Sequence, residues 1–400
     1  MDDGLLAHAL GRCRGRDDDM LAVLERLVIE NSHTGNRAGG TRVAELLAES
    51  FGAVPGLVVR LEPSERFAPH VVVANAGSPS STGCVALVGH HDTVFPPGTF
   101  EGFRLDGGLV RGPGVLDMKG GLVVVLFALR ALAEAGLLAS LPLRLVIVSD
   151  EEIGSPEGAG VLARELAGAA CALTFESGRA KDAVITARKG TGNVRLVAHG
   201  RAAHSGNHHA DGANAIWALA RAIDAAQGVT DYARGITINT GTVTGGQGRN
   251  TVPDHAEALV DLRYVSRVDG EAALARLREL CRKAADSIPG TRVEVAGGLA
   301  RPPLERTDAN VALYREYAAC ARDSGLGDGE APLVGGGSDA ATTAALGIAS
   351  IDGLGPRGKG FHTTDEQFEL ASLVPKTEAL VRFLAGRVGA SGDDLTGGAS

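Results

Sequence analysis

Apolar residues recur along the chain at two spacings, and the spacing changes partway. Between residues 17 and 187, helix-spaced and strand-like segments alternate. Leu21, Leu24, Leu27 and Val28 fall on one helix face, as do Val43, Leu46 and Leu47 after Arg37. Strand-like, largely apolar runs predict strands over 57–61, 71–74, 85–88, 143–148 and 171–175. Helices are predicted over 120–135 and 158–166. Strands that are apolar on both faces and alternate with helices imply an α/β sheet covered on both sides and at least partly parallel.

After Lys189 the period shifts to two. Val194, Leu196 and Ala198 alternate as in a half-exposed strand, and a helix follows with Ile216, Leu219 and Ile223 on one face. Strands around 235–243 and 256–264, a helix carrying Leu274, Leu277 and Cys281, and a strand over 292–295 complete the order β-α-β-β-α-β. That order is the ferredoxin-like split βαβ unit. Beyond Arg301 the helix and strand alternation resumes, with helices near 310–324 and 370–384. The expected organisation is an α/β domain with a mixed sheet (1–187 and 301–388), interrupted by an inserted α+β domain (188–300). A disordered tail (389–400) is expected to follow.

Composition narrows the picture. Glycine takes 56 of 400 positions, about twice the usual share of ~7 %, yet no Gly-X-Y period exists and 44 % apolar residues exclude disorder. Thirty-nine basic against 48 acidic residues leave a net charge of −9, which argues against nucleic acid as a partner. The longest apolar run, 122–129, is far below the ~18 residues of a membrane span, and the acidic start lacks a signal-peptide core. The five scattered cysteines form no CxxC pair, as expected for buried thiols in a reducing cytoplasm.

Chemistry concentrates in five segments at predicted strand ends: GHHDTV with His90 and Asp92, GPGVLDMKGG with Asp117, SDEEIGS with Glu151 and Glu152, FES with Glu176, and GKGFHTTDE with His362. His90 and Asp92 are two apart and share a face, so the carboxylate can fix the imidazole's second nitrogen. Ligands of open α/β sheets gather at the carboxyl ends of strands, so distant segments can converge. Two histidines and three carboxylates suit a dinuclear zinc centre with one bridging carboxylate. GLGPRGKG (353–360) nearly fits two nucleotide-binding loops. However, Pro356 interrupts one pattern and Gly360 stands where the other needs Ser or Thr. Gly335, Gly336 and Gly337 precede a predicted helix whose free N–H groups could hold a carboxylate; a plain turn capped by Ser338 or Asp339 is the alternative.

Together with HGRAAHSG, GGQGRNTVP, DLRY and GGGSDAA, these motifs resemble, in order and over about 19–386, the M20 metallopeptidase family. Within it the resemblance is to the glutamate carboxypeptidase (carboxypeptidase G2-like) branch. Acetylornithine deacetylase, succinyl-diaminopimelate desuccinylase and aminoacylase are related. The resemblance implies a zinc-peptidase-like catalytic domain with a lid and dimerisation insert. It implies that His90 and Glu176 hold one zinc, that Glu152 and His362 hold the other, and that Asp117 bridges them across a cis peptide to Met118. Asp92 would orient His90, and Glu151 would act as general base. His204 would reach the oxyanion from the partner subunit of a homodimer. Asn250, Arg263, Gly335, Gly336 and Gly337 would hold the substrate carboxylate, a strand-face salt bridge being the alternative for Arg263, and Arg301 would be a substrate-side arginine near the hinge. The implied reaction is amide hydrolysis releasing a C-terminal amino acid from an N-acyl or peptidyl substrate; the alternatives are a deacylase of the related types and a non-catalytic, metal-stabilised binding protein. The chain departs from the family pattern at His209, where relatives often have proline. It also has no secure counterpart of the lysine that holds a glutamate side chain, Lys181 and Lys189 being merely nearby.

Overall fold

The computed structural model describes residues 3–77 and 80–388; the tail expected at 389–400 lies outside them. The chain divides into two compact units. The first comprises Met1–Ala187, Arg306–Leu333 and Ser338–Ser400, and the second comprises Arg188–Glu305 and Val334–Gly337. The second unit therefore runs past the boundary read at 300, because its last strand pairs as far as Arg301 with Thr191 and Leu304 then bridges to Arg188.

The first unit is built on a six-stranded mixed sheet. In spatial order its strands are Leu57–Glu62, His70–Asn75, Leu143–Val148, Val85–His90, Cys171–Thr174 and Ala349–Ile351. The first two pair antiparallel and His70–Asn75 runs antiparallel to Leu143–Val148, whereas the remaining neighbours are parallel. The central strands are buried on both faces, which is why their sequences are largely apolar. Helix Gly120–Glu134 is buried nearly all round, consistent with its lack of a polar face. Helix Asp3–Cys13, absent from the sequence reading, buries Ala9, Leu10 and Cys13 in the same core.

A separate sheet of very short antiparallel strands runs in the order Gly358–Lys359, Gln367–Glu369, Leu109–Arg111 and Arg104–Asp106. It sets the segment after Arg111 beside the segment after Lys359. The element after Gly360 is the strand Gln367–Glu369 rather than a helix, so the strand–turn–helix context that a nucleotide-binding glycine loop needs is not present there.

The second unit has an antiparallel sheet in the order Thr237–Gly245, His255–Tyr264, Gly190–His199 and Arg292–Arg301, with helices Ala215–Gln227 and Arg267–Asp286. Val194, Leu196, Ala198, Ala258, Val260 and Leu262 are buried with Leu219, Ala222, Leu277 and Cys281. The alternate positions, including Asn193, Arg195 and Leu259, are exposed. Among the described residues no helix is long and apolar enough to cross a membrane.

Candidate metal centre

Three parallel strands end on the same edge of the larger sheet, and each delivers acidic or imidazole groups there. His90 closes its strand opposite Val148 and is buried, its N–H donating to Met118 Sδ at 3.2 Å. The neighbouring strand runs on into a 3-10 turn, Glu151–Ile153. Glu176 lies two residues beyond the third strand. Asp92 ties the first two together. Its Oδ1 accepts the Glu151 N–H at 3.1 Å, and its Oδ2 accepts the Glu152 N–H at 3.2 Å and the Thr34 hydroxyl at 2.7 Å. His90 Nδ1 sits 3.0 Å from the Asp92 carbonyl and 3.4 Å from its Oδ1. Burial opposes ionisation of Asp92, but the His90 and Thr34 contacts outweigh it and hold its carboxyl below the usual range.

Asp117 arrives from a glycine-bounded loop. Gly114 has φ +73°, a left-handed conformation that a side chain would strain. The Asp117–Met118 peptide is cis, as the resemblance implied. At Gly121 a Cβ would stand 2.1 Å from the Phe175 carbonyl oxygen, so glycine lets this helix start abut the backbone leading to Glu176. Lys119, fully buried, donates to the carbonyls of Leu27 and Glu30 and so closes the end of helix Asp17–Ile29. His362, with φ +63°, enters from the turn after the short strand Gly358–Lys359.

The side chains assemble into two groups whose potential ligand atoms lie within 4.8 Å of one another: His90, Glu151 and Glu176, and Asp117, Glu152 and His362. Asp117 faces both. Its Oδ1 is 3.5 Å from His90 Nε2 and its Oδ2 is 3.4 Å from His362 Nε2. His90 Nε2 also lies 3.6 Å from Glu176 Oε1, and His362 Nε2 lies 3.0 Å from Glu152 Oε2. Burial pushes Glu152 up to about 7, the Asp117 charge adding to it. Burial and the Asp117 charge likewise raise Glu176. His362 is raised to about 10 by its contacts with Asp117 and Glu152. Four carboxylates thus crowd two imidazoles, which leaves the cluster with an excess of negative charge. His90 Nε2, Asp117 Oδ1 and Glu152 Oε1 are buried without a hydrogen-bond partner. Orphaned donor atoms on imidazole and carboxylate, converging with excess negative charge, fit divalent cations.

The remaining candidates belong to the second unit. His204 is exposed, and its Nδ1 accepts the N–H groups of Gly206 and Asn207. Asn250 is exposed, and its backbone carbonyl accepts the Ser205 N–H. Arg263 pairs with Asp261 at 2.8 Å and reaches the Gly335 carbonyl at 3.4 Å. Arg301 is buried, its carbonyl accepting the Tyr264 hydroxyl and its side chain lying under Gly337. Arg188 donates to the carbonyls of Gly336 and Gly337. Ser338, the N-cap of helix Asp339–Ala345, accepts the Ala340 N–H, so the capped turn weighed from the sequence is present here. Thr34, Arg188 and Glu366 escaped sequence reasoning. Only Glu366 carried a signal, as an acid within the segment already singled out for His362.

An α/β sheet presenting such a cluster at the ends of parallel strands defines a metal-dependent hydrolase. The chain belongs to peptidase family M20/M25/M40, whose model matches residues 86–386. It is a metallopeptidase or amidohydrolase of that family. It is 26 % identical over 360 residues to carboxypeptidase G2 of Pseudomonas sp. strain RS-16, covering 89 % of this chain and 86 % of that one. It is also 26 % identical over 341 residues to acetylornithine deacetylase of Myxococcus xanthus, covering 79 % and 83 %. In fold it is similar to a tripeptidase from Staphylococcus aureus, with a TM-score of 0.80 at 23 % identity over 93 % of this chain and 98 % of that one.

Proposed function

We propose that the protein is a two-zinc enzyme that hydrolyses the amide of an N-acyl or peptidyl amino acid and releases the C-terminal amino acid. His90 and Glu176 would hold one ion, Glu152 and His362 the other, and Asp117 both. When bound, such ions acidify water and polarise a carbonyl. The observation that carries the reading is Asp117, which belongs to one group of potential ligand atoms and lies within 3.5 Å of the imidazoles of both.

Glu151 is the proposed general base. It takes a proton from the attacking water and returns it to the leaving nitrogen, so one carboxylate serves both halves of the reaction. Its position is supported by Asp92, which grips its peptide N–H. In the second unit, Arg263, Asn250 and the peptide groups of Gly335, Gly336 and Gly337 are the proposed partners of the substrate's free carboxylate, with Arg301 and Arg188 supporting the glycine segment. His204 is proposed to act across a homodimer interface at the developing oxyanion. Its Nδ1 is occupied as an acceptor, which leaves Nε2 to donate. All five cysteines are unpaired, which supports a reducing, cytoplasmic setting.

The test is a panel of N-acyl amino acids and dipeptides, varied on both sides of the amide and assayed with zinc-loaded protein. Release of a C-terminal amino acid from several acyl groups is expected. Confinement to acetylated or succinylated diamino acids would move the assignment to a deacylase, and an uncleaved panel that binds equally to Glu151→Gln would favour a binding protein.

A further inference from the structure

We propose that Glu366 is a positioning residue for the metal centre, its carboxylate locking the backbone of the Asp117 loop to the segment that carries His362. This rests on the reading of Asp117 and His362 as ligands. Glu366 is buried and follows His362 by four residues. Its Oε1 accepts the N–H groups of Leu116 at 2.8 Å and Asp117 at 3.0 Å, and its Oε2 accepts that of Gly114 at 3.2 Å. Three peptide N–H groups converging on one point make a cradle for negative charge, and a carboxylate can answer all of them at once.

The other side of this lock is held by the chain itself. The Glu366 N–H donates to the Thr363 carbonyl, and Gln367 opens a strand that pairs with Arg111. The carboxylate is therefore anchored by a β-ladder and holds the peptide N–H of Asp117 itself. Because Asp117 faces both His90 and His362, a slip of its loop disturbs both groups of ligand atoms together. Glutamine is nearly isosteric but has one acceptor oxygen. Turned to Leu116 and Asp117, it points its own N–H donors at the Gly114 N–H. Outer-shell partners of ligands typically change metal affinity or activity ~10–100-fold.

Zinc titration of metal-free wild type, Glu366→Gln and Glu165→Gln by calorimetry tests this. Glu165 is the control, a buried carboxylate paired with Arg60, Arg144 and Arg164. Glu366→Gln should bind zinc ~10–100-fold more weakly while Glu165→Gln binds as wild type. Added zinc should then restore the kcat of Glu366→Gln with KM unchanged. Wild-type affinity in Glu366→Gln would overturn the proposal alone, and a wild-type protein that binds no zinc would overturn the metal-centre reading beneath it. Should Glu366→Gln fail to fold, hydrogen exchange on the wild type decides. The Leu116 and Asp117 amides must be protected in the metal-free protein, and exchange at open-loop rates would refute the lock.

Discussion

Replacing Asp92 by asparagine tests a residue whose contacts the proposed chemistry depends on. The aspartate accepts three hydrogen bonds on two oxygens, from the Glu151 N–H, the Glu152 N–H and the Thr34 hydroxyl. Asparagine offers one oxygen. If that oxygen takes the Oδ2 place, Glu152 and Thr34 keep their acceptor, but the new amide N–H₂ faces the Glu151 N–H and leaves it orphaned. In the flipped orientation Glu152 loses its acceptor instead. A buried donor left unsatisfied costs about 1–3 kcal/mol. The orphaned peptide is that of the proposed base or of a proposed ligand, so the loss should appear in turnover as well as stability. Since ~1.4 kcal/mol is tenfold in rate, the expected fall in kcat is about 10–100-fold at saturating zinc, with KM little changed. Steady-state kinetics across a zinc series, paired with thermal denaturation of the metal-free protein, measures both quantities. A kcat within twofold of wild type at saturating zinc would show that the Asp92 grip does not position Glu151.

Two further outcomes follow from other parts of the molecule. If His204 works across a dimer, mixing Glu151→Gln with His204→Ala chains places one intact site in each mixed dimer. Random re-association then restores about one quarter of wild-type activity per chain, whereas a His204 acting within its own chain leaves the mixture inactive. Lys376 is buried 3.8 Å from Asp182, and burial lowers it from 10.5 to about 8. Between those values the unfolded chain binds the extra proton, so stability should rise with pH across that window. Lys376→Met should remove this rise, Asp182 keeping Arg357 at 2.6 Å. A variant whose stability still rises as steeply between pH 8 and 10.5 would contradict it.

Much of the scaffold was legible because burial on both faces leaves a continuous apolar trace. The strand over 85–88 and the helix after Gly120 could be placed from that trace alone. Helix Asp3–Cys13 is legible in the spacing of Leu6, Ala9, Leu10 and Cys13, although its acidic start and short apolar stretch carry no stronger signal. The small sheet was out of reach: strands of two or three residues are shorter than any period they could express. Because that sheet aligns Glu366 with the Asp117 loop, the contact between them, spanning some 250 positions, was illegible too. At the centre, residue type and strand-end placement marked which groups converge. Residue type cannot separate a ligand from a base among Glu151, Glu152 and Glu176; motif resemblance supplied that division, and the structure adds the distances. The second unit's return at Val334–Gly337 was invisible because a glycine run has no side-chain pattern.

The proposed reaction requires Glu151 to be a base beside the ions, while Asp117 joins two sets of ligands. Metal analysis of exhaustively dialysed, zinc-reconstituted wild type and Glu151→Gln, with turnover of the same samples, tests this most directly. Two zinc ions per chain are expected in both proteins, with a kcat lowered by about 10²–10⁴ in the variant, the range of general-base catalysis. One ion per chain in Glu151→Gln, or a single ion in the wild type, would contradict it.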